Sequence, residues 1–146
     1  MSMSNSAENG LLELIFKNTD FANIGDAAGL QNSATAGSLY ISLHTADPGE
    51  AGSQTTSETT YGAYARVAVA RSGSGWNVVT NNADNVAAIT FAECTSGTPT
   101  ITYFGVGTDA SGAGTLLFSG VLTTSLAVSV GITPQFAIGA LDVTLD

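Results

Sequence analysis

From residue 38 onward the sequence is cut into short apolar or alternating runs by clusters of Gly, Asn, Asp, Pro and Ser. The runs are SLYISLH, YARVAVAR, GWNVV, NVAAITF, TITYFGVG, TLLFSGVL, LAVSV, QFAIG and LDVTL. Turn signals recur every ~8–12 residues, the spacing of an all-β sandwich or barrel. Period-two alternation agrees: in ARVAVAR, Arg66, Ala68 and Ala70 fall on one face, with Val67, Val69 and Arg71 on the other. In TITYFGV, Ile101, Tyr103 and Gly105 alternate with Thr102, Phe104 and Val106, so both faces are expected to be partly covered. No fixed-period repeat or heptad run is visible. The expected fold is mainly β: a jelly-roll-like β-sandwich or barrel of about eight strands, preceded by a short N-terminal helix.

That helix is expected over residues 7–18, AENGLLELIFKN. Ser6 is placed to cap it, Glu8 sits in the first turn and Lys17 near the end, where each charge suits the helix dipole. Leu11, Leu12, Leu14, Ile15 and Phe16 give it a broad apolar face. Gly10 costs about 1 kcal/mol against Ala, so the first turn is expected to fray. The next stretch, TDFANIGDAAGLQNSATAG, lacks a period and reads as an irregular connection with a short helical turn near Phe21 to Ile24. The expected division is an N-terminal arm over 1–38 and a β-sandwich domain over 39–146.

Charge narrows the partners. Twelve acidic and three basic residues give a formal net charge of −9, and only 10% of residues are charged. Lys17, Arg66 and Arg71 cannot build a patch that neutralises several phosphates, which argues against nucleic acid as a partner. No segment approaches the roughly 20 apolar residues that span a bilayer, so no membrane partner is expected. The N-terminal MSMSNSAENG has neither a positive region nor a long apolar run, and production in a cytoplasm is expected. Cys94 is the lone cysteine and cannot form an intramolecular disulfide.

Candidate chemistry starts with His44, the one histidine, in LYISLHTADP. Strand alternation puts Tyr40, Ser42 and His44 on one face and Leu39, Ile41 and Leu43 on the other. His44 is expected on a polar face at the strand end, with Asp47 and Pro48 forming the turn that follows. One histidine and one cysteine are too few for a nitrogen- or sulfur-ligated metal, and no nucleophile elbow is present. Cys94 lacks a positive neighbour in sequence, with Glu93 beside it, and reads as a small hydrophobe. GVGTDASGAG (105–114) has phosphate-loop-like glycines but runs into a strand without the Lys-Ser/Thr pair, so it reads as a hairpin loop. Asp47, Glu50, Glu58, Asp84 and Asp109 match no calcium-loop pattern. Tyr61, Tyr64, Trp76, Tyr103 and Phe104 could form a sugar platform, although core packing is their commoner use. No catalytic residue, cofactor or metal is expected.

LYISLHTADPGEAGSQTTSETTYGAYARVAVARSGSGW, followed by ITFAECTSGTPTITYFGVGTDASGAGTLLFSGVLTT and GITPQFAIGALDVTLD, resembles small tailed-bacteriophage virion structural proteins. The resemblance runs through most of the chain from about residue 11 and rests on ordered phrases rather than one short motif. It implies a non-enzymatic virion component and carries no catalytic residues. A short acidic β-chain without repeats or a coiled-coil stem is similar to head decoration (cement) proteins, which bridge neighbouring capsomers of the major capsid protein as homotrimers or other small homo-oligomers. The alternative is a tail-fibre or tail-tip component that contacts the host surface. Candidate partner or oligomer contacts are Leu11, Leu12, Ile15 and Phe16 on the helix and Tyr61 and Tyr64 on a loop.

Overall fold

A computed structural model describes residues 2–145. Among them are one helix, α1 (Asn5–Lys17), and nine strands: β1 (Ser38–His44), β2 (Val67–Ala70), β3 (Trp76–Val79), β4 (Asn82–Asn85), β5 (Ile89–Thr90), β6 (Thr100–Gly107), β7 (Leu116–Ala127), β8 (Gln135–Phe136) and β9 (Asp142–Thr144). The sheet orders are β2-β1-β6-β7, β3-β4-β9 and β5-β8. The chain is mainly β with a short N-terminal helix, as its turn spacing predicts, and agrees with a β-sandwich class of nine strands. Two compact units are each assembled from separated segments.

The first unit comprises Met1–Ser38, Val69–Ala88 and Phe136–Asp146. In α1 the N-cap is Ser4, not the expected Ser6: Ser4 is extended, its side chain accepts from the Ala7 amide, and Ser6 lies inside the helix. The left-handed Asn18 ends the helix. Gly10 is not a fraying point. A Cβ there would lie 2.6 Å from the Phe21 ring, so the missing side chain admits an aromatic cover. That position of Phe21 also replaces the expected helical turn, because Phe21 and Leu30 form an antiparallel bridge through two 2.9 Å hydrogen bonds.

Leu12 and Phe16 point from α1 into a core that includes Trp76, Val78, Ala83, Leu141 and Val143. Phe16 and Trp76 meet edge to face at 4.7 Å. β3 and β4 form a hairpin with Trp76 opposite Asn85 and Val79 opposite Asn82; β9 pairs with the other edge of β4. The polar β4 sequence, NADN, is a strand despite its poor propensity. Its buried Asn85 donates to the Ala87 and Ala137 carbonyls and accepts from the Leu141 amide, so the side chain supplies order that hydrophobic alternation does not. Arg71 donates to the carbonyls of Leu14, Ile15 and Ala36, meeting the open carbonyl end of α1 with a positive charge.

The second unit comprises Leu39–Ala68 and Ile89–Gln135. β1 and β6 run antiparallel with Ile41 opposite Val106, Leu43 opposite Phe104 and His44 opposite Tyr103. β7 takes the other edge of β6, with Tyr103 opposite Val121 and Phe104 opposite Gly120. A Cβ on Gly120 would sit 2.6 Å from the Phe104 ring, so this glycine lets the ring lie across its neighbour strand. Leu39, Ile41, Leu43, Ile101 and Val106 are buried. The runs TLLFSGVL and LAVSV, read as separate in sequence, contribute to one long edge strand interrupted by register shifts.

Candidate functional site

Three surroundings in the second unit gather its distinctive side chains: the buried face of β1, the clamp on the 108–114 loop, and an outward groove on β7.

His44 is fully buried, which corrects the expectation of an open polar face at the strand end. The reason is the segment after the TADPG turn. It folds back so that His44 bridges Glu58, the Thr45 amide donates to the Ser57 carbonyl and the Thr59 amide to the Leu43 carbonyl. The His44 end of β1 is therefore buried on both faces, while Tyr40 at its start is half-buried. His44 Nδ1 lies 2.8 Å from the Thr56 carbonyl, which can only accept, so Nδ1 carries the proton. Neutral Nε2 then accepts from Ser42 Oγ at 2.8 Å. Burial lowers the His44 pKa, opposed by the Thr56 carbonyl and the charge of Glu58 and reinforced by Arg66. Ser42 and His44 resemble two members of a hydrolytic triad, but both are sealed from solvent and the third partner is a backbone carbonyl. The geometry holds a loop to a strand.

The clamp is built from Glu58, Tyr64 and Arg66. Arg66 Nε and Nη2 bind the two Glu58 carboxylate oxygens at 2.7 and 2.8 Å, a bidentate pair. The remaining guanidinium donors reach the Asp109 and Gly112 carbonyls at 2.9 and 2.8 Å. Glu58 hydrogen bonding raises the Arg66 pKa further. The Tyr64 hydroxyl donates to Glu58 and accepts from the Leu43 amide, and burial pushes its pKa well above the usual phenol range. Opposite the clamp, the side-chain oxygen of buried Gln54 accepts from the Asp109 backbone amide, and the Gln54 backbone N–H donates to the Ala113 carbonyl. GVGTDASGAG is thus a hairpin loop held from both sides, with Gly107 and Gly114 leaving room for the Gln54 side chain.

The groove, with a volume of about 520 Å³, lies beside the 47–50 turn. Its walls include Asp47, Glu50, Tyr103, Leu117, Ser119 and Val121. Alternation along β7 turns Leu117, Ser119 and Val121 outward, and Val121 is 66% exposed. The exposed Asp47 side chain accepts from the Gly49 amide.

Of the contact candidates, Leu12 and Phe16 face the core of the first unit, whereas Leu11 and Ile15 are half-buried. Tyr61 is buried, its hydroxyl donating to the Ala92 carbonyl, and it packs edge to face with Tyr64 at 5.3 Å. Cys94 is a buried free thiol within reach of the Ser96 and Gly97 carbonyls. Among the described residues no group of three or more His, Cys, Asp or Glu side chains is placed to hold a metal ion. No helix among them is long and apolar enough to cross a membrane. Sequence reasoning missed Gln54 and the Glu58–Arg66 pair; the one available signal was an arginine in a chain that has only three basic residues.

These features define a β-structured protein whose interior polar groups fasten loops to strands. The sequence model of the family described as Podophage GP4 fiber I protein gp80 matches residues 2–144. The chain belongs to this family and is a phage structural protein, a component of the virion. No curated protein sequence matches it.

Proposed function

We propose that the protein is a subunit of a fibre on a tailed-phage particle and contacts the host surface without performing catalysis. The match to a podophage fibre family across residues 2–144 carries this reading and favours it over the head-decoration role expected from size and charge. The clamped loops support it, because a surface that must survive outside the cell gains from loops tied down by buried hydrogen bonds. Among the described residues each lysine and arginine side chain already has a partner, which argues against a polyanion: Lys17 pairs with Glu13, Arg66 with Glu58, and Arg71 with helix carbonyls.

The test is location and binding together. Antibody labelling of intact particles should place a small number of copies at the tail, and purified protein should bind host cells and compete with phage adsorption. Hundreds of copies arrayed on the head lattice would sink the fibre reading.

A further inference from the structure

The groove beside β7 combines acidic and apolar lining in one channel. β1 ends at His44, opposite Tyr103 of β6, and Tyr103 is opposite Val121 of β7, so the three share a face. The turn after β1 borders that face and contributes two exposed carboxylates, Asp47 and Glu50. The strand contributes the exposed apolar side chains of Leu117 and Val121 with Ser119 between them, and half-buried Tyr103 adds an aromatic ring. One Asp47 oxygen accepts from the Gly49 amide at 2.8 Å, which orients the carboxylate and leaves the other oxygen for a ligand. Among the described residues neither carboxylate pairs with a cation; the two salt bridges there are Lys17–Glu13 and Arg66–Glu58. Six consecutive residues of β7, 116–121, line the groove, so it follows the strand for roughly 17 Å. A volume of about 520 Å³ over that length makes a narrow channel.

We infer that this groove takes an extended, lysine- or arginine-bearing segment of a partner protein. The occupant follows from charge complementarity. A lysine or arginine side chain lays its aliphatic stem along apolar surface and presents its charged head to an acceptor. Leu117 and Val121 suit the stem, Asp47 and Glu50 suit the head, and the Tyr103 ring suits a cation above its face. The narrow channel admits an extended chain rather than a folded surface. A net charge of −9 draws a basic segment from a distance and repels a polyanion. A second copy of the chain is a poor source of the cations. Its Lys17 is held by Glu13, its Arg71 by helix carbonyls, and its Arg66 side chain is 3% exposed and bound to Glu58. A neutral sugar would meet the hydrogen-bonding groups but leave both charges uncompensated. This inference needs only the geometry of the second unit, so it stands or falls separately from the fibre reading.

The experiment is fluorescence anisotropy on the full chain with labelled peptides of about six residues, the length of the groove. One alternates lysine with threonine, and its counterparts replace the lysines with glutamine or with glutamate. The lysine peptide is expected to bind, and the other two at least about tenfold more weakly. The double variant Asp47→Asn/Glu50→Gln should weaken the lysine peptide about tenfold. Glu93→Gln/Asp142→Asn removes the same charge from exposed positions that do not line the groove, and should change binding by less than about twofold. Val121→Ser, which trims the apolar lining, should weaken binding about threefold. Rising salt should weaken the wild type more steeply than the groove variant. Circular dichroism and melting check that each variant is folded. The inference is overturned if the lysine peptide fails to bind up to about 1 mM, if the glutamine peptide binds as well, or if the control variant loses as much as the groove variant. Binding of maltotriose in place of the peptide, or self-association that the groove variant loses, would give the groove to a sugar or to a second copy and overturn it too.

Discussion

Ser42 Oγ and His44 Nε2 lie 2.8 Å apart on one face of β1, both fully buried where the following segment folds back over the strand end. The pair joins a strand to its cover through the Thr56 carbonyl, and the proton arrangement works only while His44 is neutral. In the protonated state Nε2 also becomes a donor. The Ser42 oxygen must then accept from Nε2–H, and its hydroxyl hydrogen gives up the acceptor it had.

Stability should therefore depend on pH through His44. Its folded pKa is lowered by burial from the ordinary 6.5, so below 6.5 the unfolded chain binds a proton that the folded chain refuses. Stability is full above that value, falls as pH drops through it, and levels off below the folded pKa. The slope from this group is at most about 1.4 kcal/mol per pH unit. Urea unfolding between pH 7.5 and 5.5, above the ordinary carboxylate range, should show the decline, and His44→Gln should flatten it. A slope unchanged in that variant would assign the decline to another group.

Gly105 guards the same pair from the neighbouring strand. A Cβ there would lie 2.6 Å from Ser42 Oγ and 2.7 Å from His44 Nε2. Gly105→Ala must push the two side chains apart or shift β6, and should destabilise by about 1–3 kcal/mol. The pH slope should shrink with it, since the His44 environment opens. Chemical denaturation at two pH values measures both effects.

Arg66 should act as the pin of the 108–114 loop. Its side chain is 3% exposed and its guanidinium binds Glu58 through two nitrogens and two loop carbonyls besides. Arg66→Met leaves the Glu58 carboxylate uncompensated and should cost about 3–5 kcal/mol, the range for breaking a buried pair from one side. Arg66→Lys should recover only part, because an ammonium cannot make the planar two-nitrogen contact while reaching both carbonyls. Hydrogen exchange should rise in residues 108–114 before it rises in β6. A uniform rise would mean that the residue supports the unit as a whole.

Much of this architecture was legible in the residues, and the gaps have physical causes. The runs SLYISLH and TITYFGVG became β1 and β6 because alternating side chains suit a pleated strand. β4 escaped notice because NADN carries no hydrophobic pattern; a buried asparagine and two neighbouring strands order it instead. His44 was placed on the right face of its strand, yet alternation says which way a side chain points and nothing about what later covers it. The Glu58–Arg66 pair and the hold of Gln54 on Ala113 span distances along the chain at which a single sequence shows no coupling. The virion character came from ordered phrases along the sequence, whereas size and charge pointed to the head and the family match to a fibre.

Arg71 offers a parallel test in the first unit. It donates at 2.7 Å to the carbonyls of Leu14 and Ile15 in the last turn of α1, and at 3.1 Å to Ala36. The same helix inserts Phe16 against Trp76, so its C-terminal anchor and its core contact lie within one turn. Removing the guanidinium leaves helix carbonyls without their charged donor, and each hydrogen bond to a charged group contributes about 1.5–3 kcal/mol. Arg71→Ala should therefore lower stability substantially, and increased exchange at the end of α1 should accompany a change in Trp76 fluorescence as its contact with Phe16 loosens. Phe16→Ala should produce the same fluorescence change at a cost of about 3–5 kcal/mol. If the two act through one helix end, the double variant will lose less than the two single losses combined, which equilibrium denaturation of the four proteins measures.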